Sequence, residues 1–167
     1  MPTLAGLKKE LKSKADSKKA ENLQRFFKTG KGEYGEGDIF LGVIVPEVRE
    51  VARKYSKLGF EDIKKLLQSK IHEERLAALL ILVNNFQKSG EKEKRKIYKF
   101  YLKNTKYINN WDLVDLSADK IVGAYLIDKP RDILYKLAKS KNLWERRIAV
   151  LATFQFIKNH QFKETLK

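Results

Sequence analysis

The chain has 167 residues, of which 43% are hydrophobic, and this length and composition favour a single globular domain with a core of its own. Its 36 lysines and arginines outnumber its 21 acidic residues, so the net charge of +15 predicts a polyanionic partner. The chain has no cysteine and only two histidines, His72 and His160, which excludes disulfides, thiol nucleophiles and zinc fingers and leaves little for metal or catalytic-triad chemistry.

Residues 3–30 predict two helices. Leucines recur at helical spacing in the first of them, a break falls near Asp16 and Ser17, and Phe26 and Phe27 continue the apolar face of the second. Lysines crowd this segment, at Lys8, Lys9, Lys12, Lys14, Lys18 and Lys19. Such a basic face is either an ordinary solvated surface or one contact to a phosphate backbone.

Residues 30–38 are rich in glycine, and the first six of them match the pattern G-x-G-x-x-G. A phosphate-binding glycine loop follows a β-strand, whereas these glycines follow a predicted helix, so we interpret the segment as a flexible loop with several positive-φ positions. Lys28 and Lys31, with backbone amides of the loop, could still border a phosphate backbone. The apolar run at residues 40–45 has the length of a strand, but no partner strand is predicted for it.

The middle of the chain predicts four helices. Pro46 suits the first turn of a helix that Gly59 would end, residues 60–69 form a short helix, and residues 91–103 form a basic amphipathic one. Between the last two, residues 72–88 are too apolar for a surface helix and predict a buried one. The sequence His72-Glu73-Glu74-Arg75-Leu76 lacks the second histidine of the zinc-binding pattern H-E-x-x-H.

Residues 108–118 place an aromatic ring and a carboxylate on one face of a predicted helix. Asparagine favours a helix cap and an acidic residue favours the first turn, so a helix should begin near Trp111 and run to about Ile127. Asp112 is explained by that first turn, but Asp115 lies one turn further in, over Trp111. The pair is therefore a candidate site. The alternative is that Trp111 belongs to the core and that Asp115 pairs with a nearby lysine such as Lys120.

The last third of the chain predicts a helix that restarts at Pro130 and a long helix over residues 143–158. Arg147-Ile148-Ala149-Val150-Leu151 repeats Arg75-Leu76-Ala77-Ala78-Leu79 at a separation of 72 residues, and the start of the Trp111 helix falls midway. A period of about 36 residues with two helices per unit is typical of HEAT-like repeats. We therefore predict an all-α fold, a curved right-handed solenoid of antiparallel helix pairs.

Two motifs together resemble the signature of a known family. Asn110-Trp111-Asp112-x-Val114-Asp115-x-Ser117, followed by Leu143-Trp144-Glu145-Arg146-Arg147-Ile148-Ala149, is similar to the AlkD-type DNA alkylation repair glycosylases. The similarity extends to Phe40-Leu41-Gly42-Val43 and to Pro46-Glu47-Val48-Arg49. The resemblance implies an all-helical protein of HEAT-like repeats that removes alkylated purines from double-stranded DNA, by hydrolysis of the N-glycosidic bond and without a cofactor or metal.

The resemblance also implies roles for the residues of the two motifs. Asp115 would be the catalytic carboxylate, which stabilises an oxocarbenium-like sugar and orients the attacking water. Trp111 would pack against the deoxyribose of the lesion, and Arg147, with Arg146 beside it, would hold an adjacent phosphate. The family is thought to act on sugar and backbone, which implies an open cleft without a deep base pocket.

Three further candidates for DNA contact lie near the N-terminus. A tyrosine that family members carry in their N-terminal helices falls on Phe26 or Phe27 in this chain, and Tyr34 in the glycine-rich loop is a possible substitute. Lys31 in the same loop is the third candidate. The family's second functional tryptophan lies beyond residue 167, so we expect one domain over residues 1–167, shortened at its C-terminus.

The sequence contains neither a run of about 18 apolar residues nor the apolar core of a signal peptide, so we expect a cytoplasmic protein with no membrane partner. We also expect a monomer. The competing hypothesis is a non-catalytic HEAT-like module that binds nucleic acid or an acidic protein. Asp115 discriminates between the two, because a carboxylate that faces a polyanion repels it unless it has a chemical task.

Overall fold

The computed structural model describes residues 2–166, and over that range it is all-α. Nine α-helices form there: α1 Leu4–Ser13, α2 Ser17–Phe26, α3 Val45–Lys54, α4 Phe60–Leu67, α5 His72–Lys88, α6 Glu91–Lys103, α7 Trp111–Asp115, α8 Asp132–Ala138 and α9 Leu143–Ile157. A 3₁₀ turn covers Thr105–Tyr107 and a π-helical turn covers Asp119–Gly123. The predicted all-α class is confirmed, whereas the solenoid stays a prediction. None of the described helices is both long and apolar enough to cross a bilayer.

The chain divides into two compact units, residues 1–84 and residues 85–167. In the first unit, the predicted break between α1 and α2 is confirmed. The Asp16 carboxylate caps α2 by accepting a hydrogen bond from the Lys19 amide at 3.0 Å. Gly42 packs against this cap, because a Cβ atom at Gly42 would lie 2.1 Å from the Asp16 carbonyl oxygen. Its φ of 83° also favours glycine, so the loop before α3 depends on this residue.

The apolar run at residues 40–45 forms no strand: residues 40–44 are irregular and Val45 begins α3. The buried Glu73 carboxylate, in the first turn of α5, accepts hydrogen bonds from the amides of Leu41, Gly42 and Val43 at 2.9–3.2 Å. Three amides on one carboxylate satisfy backbone donors that a sheet would otherwise bind. One isolated parallel bridge joins Ile39 to Ile71 beside this anchor.

A buried ionic cluster lies at the start of α5. The Asp38 carboxylate contacts the Arg75 guanidinium at 2.6 Å and the His72 ring nitrogen Nδ1 at 3.2 Å. Burial raises the pKa of Asp38, but the hydrogen bonds and charges of His72 and Arg75 outweigh it and hold that pKa below its ordinary value. The His72 ring also stacks on Phe40, with centroids 4.4 Å apart. This cluster fixes the end of the glycine-rich loop onto α5.

In the second unit, the single helix predicted from Trp111 to Ile127 is wrong. Helix α7 ends at Asp115, and the chain continues through the π-helical turn Asp119–Gly123. The buried Ser117 hydroxyl donates a hydrogen bond to the Leu113 carbonyl at 2.6 Å and lies 2.9 Å from the Tyr101 hydroxyl. Back-bonding of this kind competes with the helical hydrogen bonds and bends a helix. The interruption therefore follows from Ser117 and its partner on α6.

Gly123 allows the π-helical turn to approach α9 closely. A Cβ atom at this position would lie 2.3 Å from the Ala152 carbonyl oxygen, which is less than any real contact distance. The chain after α9 is held by Arg131, whose guanidinium lies 3.8 Å from the centre of the Phe156 ring and 2.6 Å from the Glu164 carboxylate. Residues 163–165 form a turn.

Candidate active site

Helix α7 presents the two predicted site residues. The buried Asn110 side chain caps the helix by accepting a hydrogen bond from the Trp111 amide at 2.8 Å. The buried Asp112 carboxylate accepts one from the Leu113 amide at 2.8 Å, as expected of an acid in the first turn. Trp111 and Asp115, four residues apart, are both half-buried. Asn110 and Asp112 therefore stabilise the start of the helix, and Asp115, at its end, takes no part in the capping.

Asp115 is held by Arg147, from the second turn of α9. The guanidinium donates two hydrogen bonds to the carboxylate, from Nε at 2.7 Å and from Nη2 at 2.8 Å. These bonds raise the pKa of Arg147 above its ordinary value. The alternative prediction, a pair of Asp115 with Lys120, is wrong, because the Lys120 ammonium group lies 3.1 Å from the Asp119 carboxylate. The two predicted residues Asp115 and Arg147 thus form one paired site.

The exposure of this pair determines what it can do. The Asp115 side chain is 31% exposed and that of Arg147 is 39% exposed, so solvent or a ligand reaches both. A bidentate guanidinium fixes the plane of the carboxylate, and it uses only one lone pair on each oxygen. The remaining lone pairs can accept a hydrogen bond from water, and the fixed negative charge can stabilise a developing cation.

Glu145, which was not among the predicted site residues, supports the first turn of α9. Its carboxylate accepts hydrogen bonds from the hydroxyls of Thr105 at 2.7 Å and Ser140 at 2.5 Å. These two bonds hold the pKa of Glu145 below its ordinary value. A signal for this role was present, since Glu145 follows Glu73 by the same 72 residues that separate the repeated arginines. Both glutamates anchor the start of their long helix.

Arg146 is engaged elsewhere. Its guanidinium nitrogen Nη1 donates hydrogen bonds to the carbonyls of Ser140 at 2.8 Å and Lys141 at 3.0 Å, in the loop before α9. Neighbouring helix residues point about 100° apart, so Arg146 does not share the direction of Arg147. Contact between Arg146 and DNA stays a prediction.

The three N-terminal candidates belong to the first unit, and Asp115 and Arg147 belong to the second. Phe26 is 63% exposed and packs edge-on against Phe27, with ring centroids 5.2 Å apart. Tyr34 and Lys31 are exposed in the glycine-rich loop. The expected positive-φ positions of that loop are confirmed at Gly32 and Gly37. A shared role of these residues with Asp115 stays a prediction.

A comparison with known proteins covers almost the whole chain. A family model described as DNA alkylation repair enzyme matches residues 7–167. The comparison with curated proteins found no match. The range matched by the family model includes the candidate residues of both units.

Proposed function

The chain belongs to the DNA alkylation repair enzyme family, and from this membership we propose that it is a glycosylase for positively charged N3- or N7-alkylated purines in duplex DNA. The observation that carries the proposal is the partly exposed Asp115 carboxylate, which lies on the same helix as Trp111. Two hydrogen bonds from Arg147, on α9, fix its position. No cofactor or metal takes part in the proposed reaction.

The chemistry suits a chain with few acid–base groups. Alkylation at N3 or N7 gives the base a positive charge, so the base leaves with little help from a general acid. The deoxyribose then acquires oxocarbenium character, which a fixed carboxylate stabilises. Asp115 supplies that charge and orients the water that attacks the sugar. His72 plays no part in this scheme, because it is buried against Asp38.

Arg147 has two tasks in this scheme. A guanidinium has five N–H donors, and the bonds to Asp115 use two of them. The other three can reach a phosphate next to the lesion, so that one side chain links the carboxylate to the backbone of the substrate. The positive charge of Arg147 also offsets the repulsion between Asp115 and DNA phosphates.

The remaining parts of the proposal concern the surroundings of the site. Trp111 packs against the deoxyribose of the lesion, and Phe26, Tyr34, Lys31 and Arg146 contribute further contacts to DNA. The helix pairs stack as a curved solenoid of HEAT-like repeats. The protein works as a cytoplasmic monomer.

The proposal is tested by single-turnover release of 7-methylguanine from a defined duplex. We expect Asp115→Asn to lower the rate by about 100-fold or more, the order of magnitude for loss of one preorganised electrostatic group. Its affinity for the duplex should be equal to or higher than that of the wild type, because the substitution frees the charge of Arg147. Asp128→Asn, an exposed acidic residue of the same unit, is the matched control and should leave both quantities unchanged. Base release by Asp115→Asn at the wild-type rate would remove the mechanism.

A second candidate function is a non-catalytic module that binds nucleic acid or an acidic protein. The observation that favours it is the pairing itself, since a bidentate ion pair satisfies both side chains as a purely structural one does. In that case neither the wild type nor Asp115→Asn releases base, while both bind DNA. Loss of a partly exposed pair costs about 0–1 kcal/mol of stability in either case, so stability does not discriminate between the two functions.

A further inference from the structure

Helix α6 carries a stripe of basic side chains that the proposed active site does not use. One face of the helix is buried through Ile97 and Tyr101, and the Tyr101 hydroxyl contacts Ser117 on the segment that follows Asp115. At about 100° per residue, five exposed residues fall in an arc of about 100° on the opposite side. These residues are Lys92, Arg95, Lys96, Lys99 and Lys103.

The stripe has a single sign of charge. The two acidic residues of α6 lie outside the arc, and Glu91 is paired with Lys129 at 3.0 Å. Glu93 contacts Lys96 at 2.9 Å, but both side chains are largely exposed, and such pairs contribute about 1 kcal/mol at most. Solubility alone favours surfaces on which both signs are mixed.

The arrangement also costs helix stability. Lys92, Lys96, Lys99 and Lys103 follow one another at intervals of three or four residues, and each such pair of like charges destabilises a helix by about 0.2–0.5 kcal/mol. A bound polyanion removes this repulsion. The stripe therefore has the character of a binding surface rather than of a stabilised helix face.

Its length fits a nucleic-acid backbone. From Lys92 to Lys103 the helix rises about 16 Å, at about 1.5 Å per residue. One strand of duplex DNA carries one phosphate per about 3.4 Å of axis, so about five phosphates lie along the same length. Five basic side chains thus face about five charges of one strand.

We propose that this stripe binds the backbone of a second DNA segment while the first segment occupies the site at Asp115. The two surfaces are distinct, because the stripe faces away from Tyr101 and hence from the segment that carries Ser117. The choice of DNA as the polyanion rests on the proposed function. One chain that holds two segments can pass from one to the other without release into solution.

The experiment counts the duplexes bound per chain by sedimentation with a short, lesion-free duplex. The variant Lys96→Gln/Lys99→Gln/Lys103→Gln removes three charges from the stripe. The matched control Lys57→Gln/Lys64→Gln/Lys65→Gln removes three exposed lysines near α4 and changes the net charge equally. We expect two duplexes per chain for the wild type and the control, and one for the stripe variant. In a plot of log K against log salt for the wild type, these three lysines should contribute about −2.7 to the slope.

Two results would overturn the inference. One is a single duplex per wild-type chain, and the other is loss of the second duplex by the control as readily as by the stripe variant. Binding of a polyglutamate peptide to the stripe in place of duplex would also contradict it and would point to an acidic protein. Base release, measured in parallel, separates the two proposals: the stripe variant should release 7-methylguanine at the wild-type rate. If the wild type releases base but binds one duplex, only the proposal for the stripe is refuted. If it binds two duplexes but releases no base, only the proposed glycosylase function is refuted.

Discussion

Two arginine–aspartate pairs in this protein have the same chemistry and opposite exposure. Arg75 and Arg147 occupy corresponding positions of the repeated sequence, each near the start of a long helix, and each binds an aspartate that precedes it. The pair of Arg75 with Asp38 is only 5% exposed on either side, whereas that of Arg147 with Asp115 is open. The first fixes a loop, and the second is accessible to a ligand.

Asp115 and Trp111 could be predicted from the sequence, because their spacing on one helix and their motif are local. Their link to Arg147 could not, since 32 residues separate Arg147 from Asp115 and no periodicity encodes a side-chain pair between two helices. The partners of Glu145 could not be predicted either, since Thr105 and Ser140 lie outside α9, although its separation of 72 residues from Glu73 marks the residue itself.

Substitution of Arg147 tests whether the carboxylate needs two hydrogen bonds. Lysine keeps the charge but is a compact donor that cannot reproduce the planar fork of arginine. We expect Arg147→Lys to lower single-turnover base release by about 10-fold, which corresponds to about 1.4 kcal/mol, while duplex affinity changes less than twofold. Arg53→Lys is the control, because Arg53 is an exposed arginine of α3 with no part in the proposed site. Equal losses in the two variants would contradict a positioning role of Arg147.

At the scale of the element, helix boundaries followed from the sequence wherever apolar spacing and termini agreed. Helices α5 and α6 begin and end at the predicted residues, and the break between α1 and α2 falls where Asp16 indicated. The end of the helix at Trp111 was mispredicted, because the apolar spacing of an α-helix continues past Asp115, whereas the backbone there leaves the regular α-helical conformation. A tertiary contact of Ser117 with Tyr101 and the close approach of Gly123 to α9 decide the local structure there.

The close approach of Gly123 to α9 predicts that a larger residue at this position destabilises the protein. A methyl group at this position meets the Ala152 carbonyl oxygen at 2.3 Å, and backbone cannot rotate away as a flexible side chain can. We expect Gly123→Ala to lower the free energy of unfolding by about 1–3 kcal/mol, in the range of other overpacked sites, as measured by urea denaturation.

The matched control is Gly90→Ala, also in the second unit. A Cβ atom at Gly90 would meet nothing within 4 Å, and Gly90 caps α6 with a backbone conformation open to any residue. Alanine caps a helix less well than glycine but lowers the entropy of the unfolded chain, and since these two effects oppose each other, the substitution should change stability by less than about 0.5 kcal/mol. If both variants unfold at the same urea concentration, α9 and the π-helical turn do not pack as described.

At the scale of the whole molecule, composition predicted the class of partner and periodicity predicted the class of fold. The charge of +15 and the absence of strand patterns follow from the sequence alone. The packing of the helices within each unit could not be predicted from the sequence. It depends on contacts such as those of Gly42 and Gly123, and the sequence shows that these residues are small but not which atoms lie next to them.

The excess of basic residues predicts binding to DNA of any sequence. We expect the affinity for undamaged duplex to fall by about 10³-fold or more between 50 and 200 mM salt if six or more phosphates are contacted. AT-rich and GC-rich duplexes should bind within a few-fold of each other, because contacts to phosphates carry no direct sequence information. Fluorescence anisotropy gives both quantities, and a duplex analogue with an uncharged backbone is the control. Salt-independent binding, or equal affinity for the uncharged analogue, would contradict this interpretation.

The Glu73 carboxylate has a consequence for the order in which the first unit folds. Its acceptance of three amides at residues 41–43 closes a loop of about thirty residues around α3 and α4. Helices form within microseconds from local contacts, whereas closing a loop loses chain entropy before any long-range bond compensates for it. We therefore expect residues 41–43 to dock onto α5 late in folding, so that the folding rate of this unit depends on the meeting of one side chain with three backbone groups.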